Sequence, residues 1–86
     1  MYVIMVYDVG EKRVGKMPTI VRKYLYHVQK SVFEGEITPA AFERLKKELV
    51  KHIDVDTDQI RFYIFRSKEA FKTEVIGIDT SPTTII

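Results

Sequence analysis

The chain opens on an unbroken apolar run, Met1-Tyr2-Val3-Ile4-Met5-Val6-Tyr7, which stops at the carboxylate of Asp8. A run of this kind, without polar alternation, predicts a central strand covered on both faces. The period then changes. Val14, Met17, Ile20, Val21, Tyr24, Leu25 and Val28 recur three and four positions apart, as one apolar face of a helix does. Pro18 falls inside that pattern, and an interior proline removes a hydrogen bond and clashes with the preceding turn. A regular helix is therefore expected from about Pro18, after a Gly-bearing basic turn over 9–16.

Residues 27–37 read as extended, but Val28, Val32 and Phe33 do not share one parity, which predicts a bulge or bend near Lys30-Ser31. Thr38-Pro39 combines an N-cap with a proline at the first helical position. Phe42, Leu45, Leu49 and Ile53 form the inward stripe of the helix that follows. Lys46, Lys47 and Lys51 face outward with Glu43 and Glu48, and Glu43–Lys47 is the favourable i,i+4 pair. After an acidic turn the alternation has period two, with Ile60, Phe62 and Ile64 on one face and Arg61, Tyr63 and Phe65 on the other. Residues 71–78 read as a further strand ending near Gly77. The tail, Thr83-Thr84-Ile85-Ile86, is β-prone but lies beyond Pro82.

The predicted order is strand, helix, strand, helix, strand, strand, with the middle extended region open to division in two. Helices separated by strands in so short a chain predict an α+β sandwich, an antiparallel sheet with two helices on one face, and a ferredoxin-like plait is the natural candidate. The domain is expected over residues 1–78, with 79–86 as a tail for dimer or partner contact. An apolar last strand without an intrachain neighbour would leave an exposed edge, which suits pairing with another subunit.

Composition narrows the function classes. Eighty-six residues with 45% hydrophobic content make one small globular domain, whose limited buried surface favours association. The absence of cysteine removes disulfides, thiolate nucleophiles and Cys-based zinc sites, and fits a cytoplasmic protein. No segment has the roughly 20 apolar residues of a membrane span, and the N-terminus has no basic region or small-residue cleavage site, so no signal peptide is expected. A net charge of +2 is too small to diagnose nucleic-acid binding, which must rest on where cations cluster.

They cluster early. From Lys12 to Lys23 the chain holds five cations and no acid: Lys12, Arg13, Lys16, Arg22 and Lys23. A lone carboxylate at the end of a rigid strand, followed by such a cluster, suits a hard metal ion beside a phosphate-bearing partner. The plainer alternative is that Asp8 caps the next turn. Lys30, Lys46, Lys47 and Lys51 add positive charge, although any one lysine is most often an ordinary solvated residue. Asp54-x-Asp56-x-Asp58 imitates the start of a calcium loop, but Gln59 stands where that loop needs glycine and Phe65 where it needs glutamate, leaving an acidic turn. The aromatics Phe62, Tyr63 and Phe65 lack the glycine-bearing signature of RNA-recognition sheets and read as core. Ser31 has no base or triad partner.

Tyr7-Asp8-Val9, then Arg13 and Lys16, and above all Gln29-Lys30-Ser31-Val32-Phe33-Glu34-Gly35, resemble the Cas-two family, the small CRISPR-associated proteins of spacer acquisition. Ile60-Arg61-Phe62-Tyr63 and Gly77 fit the same pattern, so the resemblance spans essentially residues 1–78. It implies a ferredoxin-like homodimer in which the ends of strand 1 meet near the two-fold axis and C-terminal strands cross to the partner sheet. Two roles follow from it. One is magnesium-dependent endonuclease activity on RNA or DNA, with Asp8 of both subunits binding Mg2+ or another divalent cation and Arg13 steadying the scissile phosphate. Lys12, Arg13, Lys16, Arg22, Lys23 and Lys30 would then bind nucleic acid. The other role is a non-catalytic adaptor that bridges CRISPR integrase subunits and holds duplex DNA. Setting the resemblance aside, a small-ligand regulatory module on the same fold is a third possibility. The chain departs from the family at His27, where members often carry arginine, and at Pro18, within a region the family usually makes helical.

Overall fold

Strand β1 (Tyr2–Asp8) is the interior strand because both of its edges find partners. The computed structural model, which describes residues 1–79, pairs β1 antiparallel with β3 (Val32–Glu36) from Tyr2↔Glu36 to Val6↔Val32. Its other edge pairs antiparallel with β4 (Gln59–Phe65), from Tyr2↔Phe65 to Asp8↔Gln59. With β2 (Tyr26–Gln29) outside β3, the sheet order is β2-β3-β1-β4, the arrangement of a ferredoxin-like α+β sandwich.

The expected cover on both faces of β1 is seen on one. Val3, Met5 and Tyr7 are buried against the helices, whereas Ile4 and Val6 are half-buried and Asp8 is exposed on the opposite face. At the far end of that open face Phe71 closes over Tyr2 and Phe65, with ring centroids 5.4 and 4.4 Å away. Among the described residues nothing covers the rest of that face, where Ile4 and Val6 are half-buried and Tyr63 is exposed.

The first helical region is broken. Helix α1 (Glu11–Val14) is followed by α2 (Met17–Val21), which begins with Lys16 as its N-cap and carries Pro18 in its first turn, where no amide donor is needed. The periodicity had pointed to a helix continuing towards residue 28. It ends at Val21 instead, whose carbonyl accepts from the amides of both Tyr24 and Leu25 at 2.9 Å. That tight turn keeps Leu25 in the core, so a helix-like spacing persists where no helix exists.

The middle extended region is a hairpin. Lys30 and Ser31 form its turn, with Lys30 at φ 31°, and the register slips between His27↔Phe33 and Gln29↔Val32, so Val28 is the extra residue. Helix α3 (Pro39–His52) begins as expected: Thr38 Oγ1 accepts from the Ala41 amide at 3.1 Å. Phe42, Leu45 and Leu49 are buried, and Phe42 meets Phe62 of β4 edge-on at 4.9 Å. On the outer face Glu43 pairs with Lys46 at 2.9 Å rather than with Lys47, because the Lys46 ammonium also lies over the Phe42 ring at 4.4 Å.

Residues 71–78 are not a strand in this chain. A short 3-10 turn (Lys68–Ala70) carries the backbone across the open face instead of turning it back along β4, so no ladder forms. Val75, Ile76 and Ile78 are left exposed, Ile76 fully so. The outer edge of β4 has no partner among the described residues. The β-prone tail at 83–86 lies outside them. Among the described residues no helix is long and apolar enough to cross a membrane.

Candidate functional site

The strand register brings one end of the sheet together. Asp8 sits opposite Gln59 at the start of β4, the Tyr7 amide donates to the Ser31 carbonyl at 3.1 Å, and α1 begins two residues beyond Val9. Asp8, the basic α1 segment, the hairpin turn and the 54–58 turn therefore share this end. The Asp8 side chain is exposed and has no hydrogen-bond or ion-pair partner among the described residues. It caps nothing, so the plainer reading of this acid fails and a carboxylate stands free on a strand paired along both edges.

Arg13 is not free. Its Nε donates to Asp58 Oδ2 at 2.6 Å and its Nη2 to Asp58 Oδ1 at 2.9 Å, a two-pronged pair. The same carboxylate accepts the Gly10 amide at 2.9 Å and the Asp54 amide at 2.9 Å. The Asp58 side chain is 1% exposed. The Arg13 guanidinium, reinforced by the two amides, holds the Asp58 carboxyl well below the usual carboxylate range. A Cβ at Gly10 would stand 2.5 Å from Arg13 Nη2, so a side chain there would push the guanidinium out of its place on Asp58. On the other side of the turn the His52 ring donates from Nε2 to the Arg13 carbonyl at 2.7 Å. The α1 segment is thus fastened to the end of α3 and to the start of β4, and Arg13 serves as a tie within the loop behind Asp8.

The remaining cations divide in two. Lys23 pairs with Glu48 at 2.5 Å, and the Tyr24 hydroxyl donates to the other Glu48 oxygen at 2.5 Å; the lysine and this phenol lower the Glu48 pKa. Lys12, Lys16, Arg22 and Lys30 are exposed and carry no ion pair among the described residues. Arg22 lies near enough to Tyr7 to oppose the rise that burial gives to the Tyr7 hydroxyl. His27 stacks on Phe33 at 4.6 Å and its Nε2 donates to the Lys30 carbonyl at 2.6 Å, which makes it a brace of the hairpin turn.

Two functional-looking positions were not singled out from the sequence. Asp58 was read as part of an acidic turn, and it is one: Asp54 Oδ1 accepts from the Asp56 amide at 3.0 Å, and the Asp54 carbonyl accepts from the Thr57 and Asp58 amides. Its pairing with Arg13, 45 positions away, has no local signature. Arg61 is the other, placed by register on the face and at the end of the sheet that hold Asp8.

Among the described residues no three His, Cys, Asp or Glu side chains gather to hold a metal ion. With no such group to close a coordination shell, a divalent ion at Asp8 would need a second Asp8 or the phosphate oxygens of a substrate.

A four-stranded antiparallel sheet in this order, with helices on one face and a free acid at the end of its first strand, defines a small ferredoxin-like protein with a polar site at a sheet end. The model of the family described as CRISPR associated protein Cas2 matches residues 1–73, and the chain belongs to that family. A Thermotoga maritima protein named CRISPR-associated endoribonuclease Cas2 is 52% identical over 79 residues, spanning 92% of this chain and 91% of that one. A relative of the same name from Methanocaldococcus jannaschii is 46% identical over 82 residues, spanning 95% and 72%. A crystal structure described as cas2 superposes with a TM-score of 0.87 at 40% identity, covering 100% of this chain and 97% of that one. Streptococcus pyogenes Cas2 at pH 6.5 gives a TM-score of 0.79 at 36% identity, covering 90% and 100%.

Proposed function

We propose that this protein is a magnesium-dependent endonuclease of CRISPR spacer acquisition, an endoribonuclease or DNase that works as a homodimer. The observation that carries this reading is the free, exposed Asp8 carboxylate on the central strand, with the exposed Lys12 in the segment that follows and Lys30 in the hairpin turn at the same end of the sheet. The names of the relatives support RNA as a substrate. Two Asp8 carboxylates across a two-fold axis would hold Mg2+, which when bound lowers the pKa of a water and polarises a phosphoryl oxygen. The residues of this chain bind and orient: lysines hold the sugar-phosphate backbone as point charges, and the Arg13–Asp58 tie keeps the loop behind Asp8 in place.

What the described residues leave uncovered supports the homodimer. The outer edge of β4 lacks a partner among the described residues, and it borders an apolar groove of ≈ 330 Å³ lined by Leu49, Val50, Ile53, Val55, Ile60 and Phe62. The extended segment bearing Val75, Ile76 and Ile78 has the length and chemistry to add to that edge in a second copy. The test of the activity is Mg2+-dependent cleavage of labelled single-stranded RNA and duplex DNA by wild type and Asp8→Ala, both shown to be folded dimers. Cleavage by the wild type alone supports the nuclease; no cleavage, or equal cleavage, removes it.

The second reading, an adaptor that bridges integrase subunits and lies along duplex DNA, is favoured by one observation. Among the described residues no three possible metal ligands gather, whereas Lys12, Lys16, Arg22 and Lys30 are exposed and carry no ion pair. It predicts steep salt dependence of DNA binding that survives Asp8→Ala.

A further inference from the structure

The register puts an arginine beside Asp8 that the basic cluster of α1 does not include. Val6 of β1 lies directly opposite Arg61 of β4, and Asp8 directly opposite Gln59. Residues two apart on a strand share a face, so Arg61 and Asp8 are diagonal neighbours on the helix-free side of the sheet. Diagonal neighbours across an antiparallel pair stand about 7–8 Å apart, well within the reach of an arginine side chain. Both residues are exposed, no ion pair joins them, and neither side chain has a partner among the described residues. An acid and a guanidinium that face the same space without touching leave room between them for a third group.

The chemistry of that group is constrained. A carboxylate takes a hydrated divalent cation, and a guanidinium fork takes two oxygens of a phosphate. Arg13, the arginine nearest in sequence to Asp8, has Nε and Nη2 bonded to Asp58 and is spent on the fold. We propose that Arg61 is the residue that grips the phosphodiester at the Asp8 site, with Asp58 holding Arg13 away from that task. The inference rests on the nucleic-acid reading above and assigns the substrate-binding fork within it. The competing account is that Arg61 is an edge-strand charge that discourages aggregation, as β4 is an edge of the sheet in one chain.

The test separates this assignment from the nuclease reading by measuring binding without catalysis. Fluorescence anisotropy of a labelled single-stranded RNA in EDTA, over a range of salt, is compared for wild type, Arg61→Gln, Arg61→Lys and Asp8→Ala, with circular dichroism confirming each fold. Loss of one phosphate contact reduces the slope of log affinity against log salt by about 0.7 for a single strand. Arg61→Gln is expected to show that reduction with affinity about tenfold lower, and Arg61→Lys to retain the slope. In Mg2+, Arg61→Gln is expected to cut at least tenfold more slowly at saturating RNA. If Arg61→Gln keeps the wild-type slope and affinity, the assignment is wrong, whether or not the wild type cleaves. If the wild type does not cleave but the slope falls, the nuclease reading fails and the phosphate contact stands. If wild type binds no nucleic acid, both fall.

Discussion

The guanidinium of Arg13 and the carboxylate of Asp58 meet in a two-pronged contact of 2.6 and 2.9 Å, joining the first helical turn to the strand that closes the sheet. Because the carboxylate is enclosed and also receives two backbone amides, the pair fixes the backbone that follows Asp8 and the turn that precedes Gln59. Its role is to hold shape at a site where the sequence pointed to phosphate.

Arg13→Lys and Asp58→Asn should each lower the urea midpoint at pH 7. The double variant should lose less than the sum of the two, since they share one interaction. The pH dependence has a definite sign. The folded pKa of Asp58 lies below its unfolded value, so its stabilisation is present above that unfolded value and lost as pH falls towards the folded one. Wild-type midpoints should therefore fall below about pH 4, and those of Asp58→Asn should fall less steeply there.

Asp8→Ala should abolish Mg2+-dependent cleavage, as should EDTA added to the wild type. The side chain is exposed and without a partner, so stability should change by less than about 0.5 kcal/mol. Chemical denaturation beside the cleavage assay checks both. A large loss of stability would mean that the residue acts through the fold.

On the open face the Tyr2 hydroxyl donates to Glu34 at 2.5 Å and shares a hydrogen bond with the Tyr26 hydroxyl at 2.6 Å. Burial, then the Glu34 carboxylate, raises the Tyr2 pKa far above its usual value. Such a group stabilises the fold fully below the unfolded pKa, and the contribution is lost as pH rises above about 10. Tyr2→Phe should cost about 1.5 kcal/mol at neutral pH, and its stability should decline less than that of the wild type above pH 10. Thermal melts across that range decide it.

Leu45 is wholly buried beneath the sheet, while Val50, one and a half turns further along α3, is 60% exposed. Leu45→Ala should cost about 3 kcal/mol. Val50→Ala should cost far less in a monomer but weaken a dimer that fills the neighbouring groove. Unfolding at two protein concentrations tells these apart.

Ile76→Asp combined with Ile78→Asp should convert a dimer into a monomer, read by light scattering after gel filtration. A dimer that persists would show that this segment is not what joins the copies.

The strands, the Thr38-capped helix and the turn after it were legible in the sequence because each is a local pattern of period, cap or turn residue. Two features were not. The apolar spacing from Val14 to Val28 imitated a long helix, because the 22–25 turn directs Leu25 into the same core that a further helical turn would have reached. Residues 71–78 have strand composition, but a strand is a relation between two segments, and no segment pairs with them among the described residues. At the site, Asp8 and the exposed lysines were legible as free charges. Arg13 looked free because its acid is distant in sequence, and Arg61 was overlooked because only the register reveals that it faces the same way as Asp8.

The central position of β1 also shapes how the chain reaches its fold. The first strand to leave the ribosome is the one that needs the last: every residue from Tyr2 to Asp8 waits for a partner between Gln59 and Phe65. Until that stretch has emerged, an apolar segment keeps a bare edge, and the Arg13–Asp58 tie cannot close. Closing the sheet accordingly waits on a pairing between distant segments, the kind of contact that makes a fold form more slowly than a helical bundle of equal length. A chain stalled before residue 59 would be a sticky, half-built sheet, and its fate would rest with chaperones.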